Sequence, residues 1–143
     1  MTLPETLVVD ASIAVKWYIH EHDSPQALRL TTGGARLIAP SHVQAEVGNV
    51  VWKRSSRGDI TPDDARGMVH DFIQQTAVEL REVGPLLPAA LLIALRYERT
   101  VYDSLYLALA MREHCRMITA DERLYNRLLG TEMEPYIMTL GQY

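Results

Sequence analysis

The chain has 143 residues, long enough to bury one sizeable core, and its 48% hydrophobic and 22% charged residues suit an ordinary globular protein rather than a disordered or fibrous one. A formal charge of −4 argues against a binder that holds nucleic acid by phosphate neutralisation alone, and a lone Cys115 excludes an internal disulfide and a cysteine metal cage. MTLPETLVV carries no basic segment ahead of a long apolar stretch, and no apolar run approaches the roughly 20 residues of a membrane helix, so a cytoplasmic protein without a membrane span is expected.

No repeat, low-complexity tract or linker divides the chain, so residues 1–143 are expected to form one domain. TLVVD (6–10) is a β-branched run fit for a buried strand, and ASIAVKWYIH (11–20) then reads as helix. Ser24 and Pro25 make an N-cap and N1 pair for a second helix, which Gly33-Gly34 closes. RLIA (36–39) is the next strand. After Pro40, SHVQ predicts a capping box with Ser41 at the N-cap and Gln44 at N3. That helix runs toward Gly58 with Val43, Val47, Val50 and Val51 on one stripe, and Thr61-Pro62 opens another, with Asp64 completing a weaker box. AVELREV reads as a third strand and PAALLIALRYER as a helix. Then come the nearly all-apolar helix VYDSLYLALAMREH (101–114), strand RMITA, helix DERLYNRLLG and a last strand near YIMTL.

Strands alternating with helices, in a chain without hairpin dipeptides, predict an α/β fold, with a mostly parallel central sheet flanked by helices on both faces. Such sheets bind ligands beyond the carboxyl ends of their strands, near a switch point in strand order. Asp10 and Asp121 fall at such ends.

Taken singly, each acid has a plain structural explanation. Asp10, Asp103 and Asp121 all stand where a helix begins and would serve as caps. Glu46 lies on the flank of the valine stripe, where a solvated edge is the commoner reading. Taken together, they carry a different implication. Carboxylates about 4–5 Å apart repel by roughly 1 kcal/mol even in water-like dielectric, and a hard cation such as Mg²⁺ or Mn²⁺ removes that cost while bridging to phosphate oxygens. Removing four carboxylate charges from −4 leaves the remainder formally neutral, so the acidic balance need not repel a polyanion.

LVVDASIAVKW, IAPSHVQAEVGNVVWK, YDSLYLALA and MITADERL, in this order, resemble the PIN-domain ribonucleases, and among them the VapC-type toxins of toxin–antitoxin pairs. The resemblance spans Leu7 to about Leu140. It implies a PIN-like domain acting as a Mg²⁺- or Mn²⁺-dependent endoribonuclease, with Asp10, Glu46, Asp103 and Asp121 as an acidic quartet holding metal. It further implies roles near the metal for Ser12, Thr119 and Asn49, a homodimer, and a small cognate antitoxin lying across the groove beside the acids. The chemistry so implied is hydrolysis of an RNA phosphodiester by a metal-activated water.

Other features carry less. His20, His22, His42, His70 and His114 lack ligand spacing and read as structural. Lys53, Arg54 and Arg57 could hold RNA phosphates, or simply be the cations favoured at a helix C-terminus. Trp17 and Trp52 suit an interface or local packing equally. A phosphoacceptor receiver module wants a paired acid after the first strand and a lysine near the last, and this chain has neither. A dehalogenase-type phosphatase wants an Asp where Ser12 stands. The remaining alternatives are a catalytically silent PIN-like module that binds RNA or protein, and a housekeeping PIN nuclease without an antitoxin.

Overall fold

Five short strands pair side by side into one sheet. The computed structural model describes residues 3–75 and 77–143. Strands β1 (Thr6–Val9), β2 (Arg36–Pro40), β3 (Glu79–Arg81), β4 (Arg116–Thr119) and β5 (Ile137–Thr139) lie in the order β3-β2-β1-β4-β5, every pairing parallel. Leu7, Val8 and Val9 of β1 and Met117, Ile118 and Thr119 of β4 are all buried. This is why the strands read as unbroken apolar runs rather than alternating ones: both faces of the sheet are covered. The helices are α1 (Ala11–Ala14), α2 (Ser24–Thr32), α3 (Val43–Ser56), α4 (Pro62–Gln75), α5 (Leu87–Tyr97), α6 (Val101–Arg112) and α7 (Glu122–Leu128). Strand order runs one way from β1 through β2 to β3 and the other way from β4 to β5. Right-handed crossovers therefore send α1–α4 to one face and α5–α7 to the other. The direction reverses between β1 and β4, so the switch point falls between the ends that carry Asp10 and Asp121.

α6 explains its own composition. Residues Ser104 to Ala110 are all buried, and the helix packs on β1, β2 and β4 as well as on α5. A helix covered all round has no use for a polar face. Its N-cap is Thr100, whose Oγ1 accepts from the Asp103 amide at 3.1 Å, while Ser104 Oγ donates to the Thr100 carbonyl at 2.8 Å. Asp103 is therefore not the cap of its helix; it sits in the first turn with its carboxylate free for other work.

Local expectations gave way in three further places. The first helix ends at Ala14 and tightens into a 3₁₀ turn at Val15–Trp17, instead of running to residue 20. There Lys16 Nζ binds Glu21 Oε2 at 2.6 Å and Asp23 Oδ1 at 2.8 Å, and Trp17 Nε1 donates to the Ala27 carbonyl at 2.8 Å, which folds the chain back. Trp17 is thus a packing residue. Ser24 does not cap α2: its Oγ accepts from the Glu21 amide and donates to the Ile19 carbonyl, and Asp23 holds the cap position. The capping box at Ser41 does not form either. The Ser41 amide is committed to the Arg81 carbonyl of β3, so α3 begins one residue later with His42 at its cap. The Thr61 cap does form, accepting from the Asp64 amide at 3.0 Å.

Thr100→Ala should cost about 1 kcal/mol of stability, the usual worth of a threonine cap, measured by urea unfolding. An unchanged urea midpoint would mean that α6 is held by packing alone.

Candidate active site

The parallel register sets Val9 beside Ile118, so the residues that follow, Asp10 and Thr119, meet across the two strand ends. Asp10 caps α1 in an extended conformation. Its Oδ1 accepts from the Ile13 amide at 3.1 Å and from Ser12 Oγ at 2.5 Å, and its Oδ2 accepts from Thr119 Oγ1 at 2.5 Å. The two hydroxyls in turn accept from backbone: Ser12 from the Ala120 amide and Thr119 from the Asp121 amide, both at 3.0 Å. Each hydroxyl thus directs its single proton at Asp10, the arrangement an ionised, acceptor-only carboxylate requires. Burial nevertheless raises the Asp10 pKa to about 6, with the three hydrogen bonds working against the rise.

Glu46 reaches the same place from α3. Its Oε1 accepts from the buried Tyr106 hydroxyl at 2.6 Å and lies 3.2 Å from His42 Nε2. The same nitrogen faces the Tyr102 carbonyl at 3.0 Å, and with two acceptors before it, it is the protonated nitrogen of the ring. Burial pushes the Glu46 carboxyl upward, but the His42 and Tyr106 contacts outweigh it and hold it below the usual carboxylate range. Asp103 projects from α6 and binds Arg99 Nη2 through Oδ2 at 3.0 Å; the same Nη2 stands 4.0 Å from Asp121 Oδ2. Burial raises the Asp103 pKa, Arg99 opposes it, and the Asp121 and Glu46 charges add to the rise. Asp121 caps α7, its Oδ1 accepting from the Leu124 amide at 3.1 Å.

Asp10, Glu46, Asp103 and Asp121 line one cleft of ≈ 440 Å³, with Ser12 and Asn49 also on its wall. Thr119 is fully buried beneath it. Lys53, Arg54 and Arg57 are not on that wall: Arg54 binds Glu21 at 2.7 Å, and the other two are exposed. Among the described residues, no group of three or more His, Cys, Asp or Glu side chains is arranged to hold a metal ion unaided. The donor set still fits one class of ion. Mg²⁺ keeps several waters and takes one or two carboxylates plus substrate phosphate, rather than a closed protein cage. Hard carboxylate oxygens on the wall of an open cleft, two of them raised in pKa by burial, match that mode. No helix among the described residues is long and apolar enough to cross a membrane.

The profile of the PIN domain family matches residues 7–127. The chain belongs to the PIN-domain family. It is 33% identical over 119 residues to ribonuclease VapC3 of Pyrobaculum aerophilum, covering 82% of this chain and 91% of that protein. Among solved structures, PAE2754 of the same organism superposes with a TM-score of 0.70 at 18% identity, over 98% of this chain and 94% of that one. A toxin–antitoxin complex from Klebsiella pneumoniae superposes with a TM-score of 0.62 at 12% identity, over 94% and 97%.

Three residues that sequence reasoning passed over contact the acids of this PIN-domain cleft. His42, expected to be merely structural, lines it and contacts Glu46; Tyr106 holds the same carboxylate; Arg99 joins Asp103 and Asp121. His42 and Arg99 each stand four residues before an acid they touch, so the i, i+4 spacing was the available signal.

The Asp10 environment generates a pH dependence. Its folded-state pKa lies above the value of 3.8 for an unperturbed Asp, so its contribution to stability is fully present below that pH and is lost as pH rises through about 6. The shift corresponds to roughly 3 kcal/mol. In EDTA, wild type should lose about that much stability relative to Asp10→Asn between pH 4 and 7, measured by urea midpoints. Parallel pH curves for the two proteins would contradict the assignment.

Proposed function

We propose that this chain, acting as one PIN domain, is a Mg²⁺- or Mn²⁺-dependent endoribonuclease, the toxin of a toxin–antitoxin pair restrained by a cognate antitoxin. The observation that carries the reading is the convergence of Asp10, Glu46, Asp103 and Asp121 on one cleft at the switch point of the sheet. The name of the 33% identical relative, a ribonuclease, supports the same chemistry here. A bound divalent ion would supply charge neutralisation at the scissile phosphate and an activated water. The protein's own part is to hold carboxylates ready. Ser12, Thr119 and the Ile13 amide fix the Asp10 carboxylate, and Tyr106 with His42 fixes that of Glu46. Asn49, exposed on the same wall, is positioned to donate to a water or to RNA. Lys53 and Arg57, exposed toward the end of α3, are open to an RNA strand beyond the cleft, whereas Arg54 is engaged with Glu21.

Two apolar surfaces support the partners. Leu91, Leu92 and Leu95 of α5 are at least half exposed, a stripe suited to a second copy of the chain. Trp52, 62% exposed, edges a groove between α3 and α4 that also includes Val51, Ala65 and Val69, a surface suited to an apolar segment of an antitoxin. The reading includes a cytoplasmic location, in keeping with an RNA target and a free Cys115.

Purified free of partners, the protein should cleave total RNA with Mg²⁺ or Mn²⁺ and not with EDTA, and Asp103→Asn should lower the rate at least ~100-fold, about 2.7 kcal/mol of barrier. Cleavage that persists unchanged in EDTA would overturn the metal mechanism. RNA binding without cleavage under any metal would favour the silent module. Expressed alone, wild type should arrest growth, and a small neighbouring gene product should relieve the arrest. Unimpaired growth with soluble, metal-active protein would point to a housekeeping nuclease.

A further inference from the structure

Arg99 is the cation nearest the candidate acids, and its placement is unusual. It precedes the Thr100 cap of α6, four residues before Asp103, and its side chain is about three-quarters buried. The guanidinium serves two carboxylates at once through one nitrogen: Nη2 is 3.0 Å from Asp103 Oδ2 and 4.0 Å from Asp121 Oδ2. Its Nε is buried without a hydrogen-bond partner. An Arg–carboxylate pair is frequently bidentate, with both prongs of the fork engaged. Here one prong is engaged, the second carboxylate is reached only loosely, and a desolvated donor is left over.

We propose that Arg99 is a built-in counter-cation that competes with the divalent ion for the Asp103 and Asp121 carboxylates and so sets the affinity of the site for metal. This rests on the reading of those acids as metal ligands. The competition follows from elementary electrostatics. A fixed positive charge at 3.0 Å from one donor oxygen and 4.0 Å from another lowers their attraction for an incoming cation. By linkage, whatever weakens the Arg99–Asp103 pair strengthens metal binding, and the converse holds equally. A phosphate is well suited to weaken it, since its oxygens offer acceptors to the guanidinium N–H groups that the Asp103 pair leaves idle. The arrangement therefore makes tight metal binding depend on RNA being present, and spares the protein four mutually repelling acids when it is absent. Arg99 is a positioning residue in this scheme, acting on the reaction through the carboxylates it holds.

The experiment is Mn²⁺ titration by calorimetry or electron paramagnetic resonance, without RNA, on wild type, Arg99→Met, Arg99→Gln and Arg99→Lys, with melting in EDTA recorded for each. Arg99→Met and Arg99→Gln should bind Mn²⁺ about tenfold more tightly than wild type, equivalent to ~1.4 kcal/mol. Arg99→Lys, which keeps the charge, should stay near wild type. Both neutral variants should melt lower than wild type in EDTA and gain more from saturating Mn²⁺. A structural role would give the opposite sign, because a loosened site binds metal more weakly. Equal or weaker Mn²⁺ binding by a folded neutral variant overturns the inference while leaving the metal site intact. If neither neutral variant folds, Arg99→Lys decides: binding weakened to the extent that melting is lowered contradicts competition, and near-wild-type binding at lowered stability supports it. No Mn²⁺ binding by wild type would overturn the site reading itself, and this inference with it.

Discussion

The carboxylate of Asp10 is the point on which the cleft depends. It leaves β1 at the carboxyl edge of the sheet, and it is tied to β4 by hydroxyls from Ser12 and Thr119 that are themselves anchored on the Ala120 and Asp121 amides. A buried charge costs several kcal/mol unless hydrogen-bonded, so these contacts are needed for the residue to be there at all. They also fix the geometry. Because the same two hydroxyls receive the amides that lead into Asp121, Asp10 and Asp121 are set in one rigid frame, although they stand 111 positions apart in sequence.

Three of the four acids are supported by three different means, and the differences matter for function. Asp10 has neutral hydroxyls and an amide, which leave its charge uncompensated and its pKa high. Glu46 has a phenol and an imidazole, donors strong enough to pull it below the ordinary range. Asp103 has a guanidinium, yet burial and the neighbouring acids still raise it. The cleft therefore holds excess negative charge in places where water screens it poorly. That is the condition under which a divalent ion binds through few protein ligands and many waters, leaving room for phosphate.

Much of this architecture is legible in the sequence, for identifiable reasons. Val8-Val9 and Met117-Ile118 read as strands because both faces of the sheet are covered, and the aspartates after them read as edge residues because charge cannot continue into that core. Thr61 caps its helix through the Asp64 amide, the first half of the box the spacing predicts. What escaped was decided by contacts distant in sequence. Ser41 fails to cap because its amide belongs to β3. The first helix stops early because Lys16 answers Glu21 and Asp23. Asp103 reads as a cap from sequence, since only the backbone conformation of Thr100 reveals which residue accepts the hydrogen bond. His42 and Arg99 stood at helical spacing from Glu46 and Asp103, but nothing in the spacing alone says that the pairs face inward.

The most direct measurement is the anomalous difference density of a crystal soaked in Mn²⁺ and collected near the manganese absorption edge. The account predicts a peak inside the cleft, in contact with at least one of the Asp10, Glu46, Asp103 and Asp121 carboxylates, and absent from an Asp10→Asn crystal treated identically. A manganese peak elsewhere on the molecule, or one in the cleft that Asp10→Asn leaves unchanged, would contradict the claim that this buried aspartate organises a metal-binding active site.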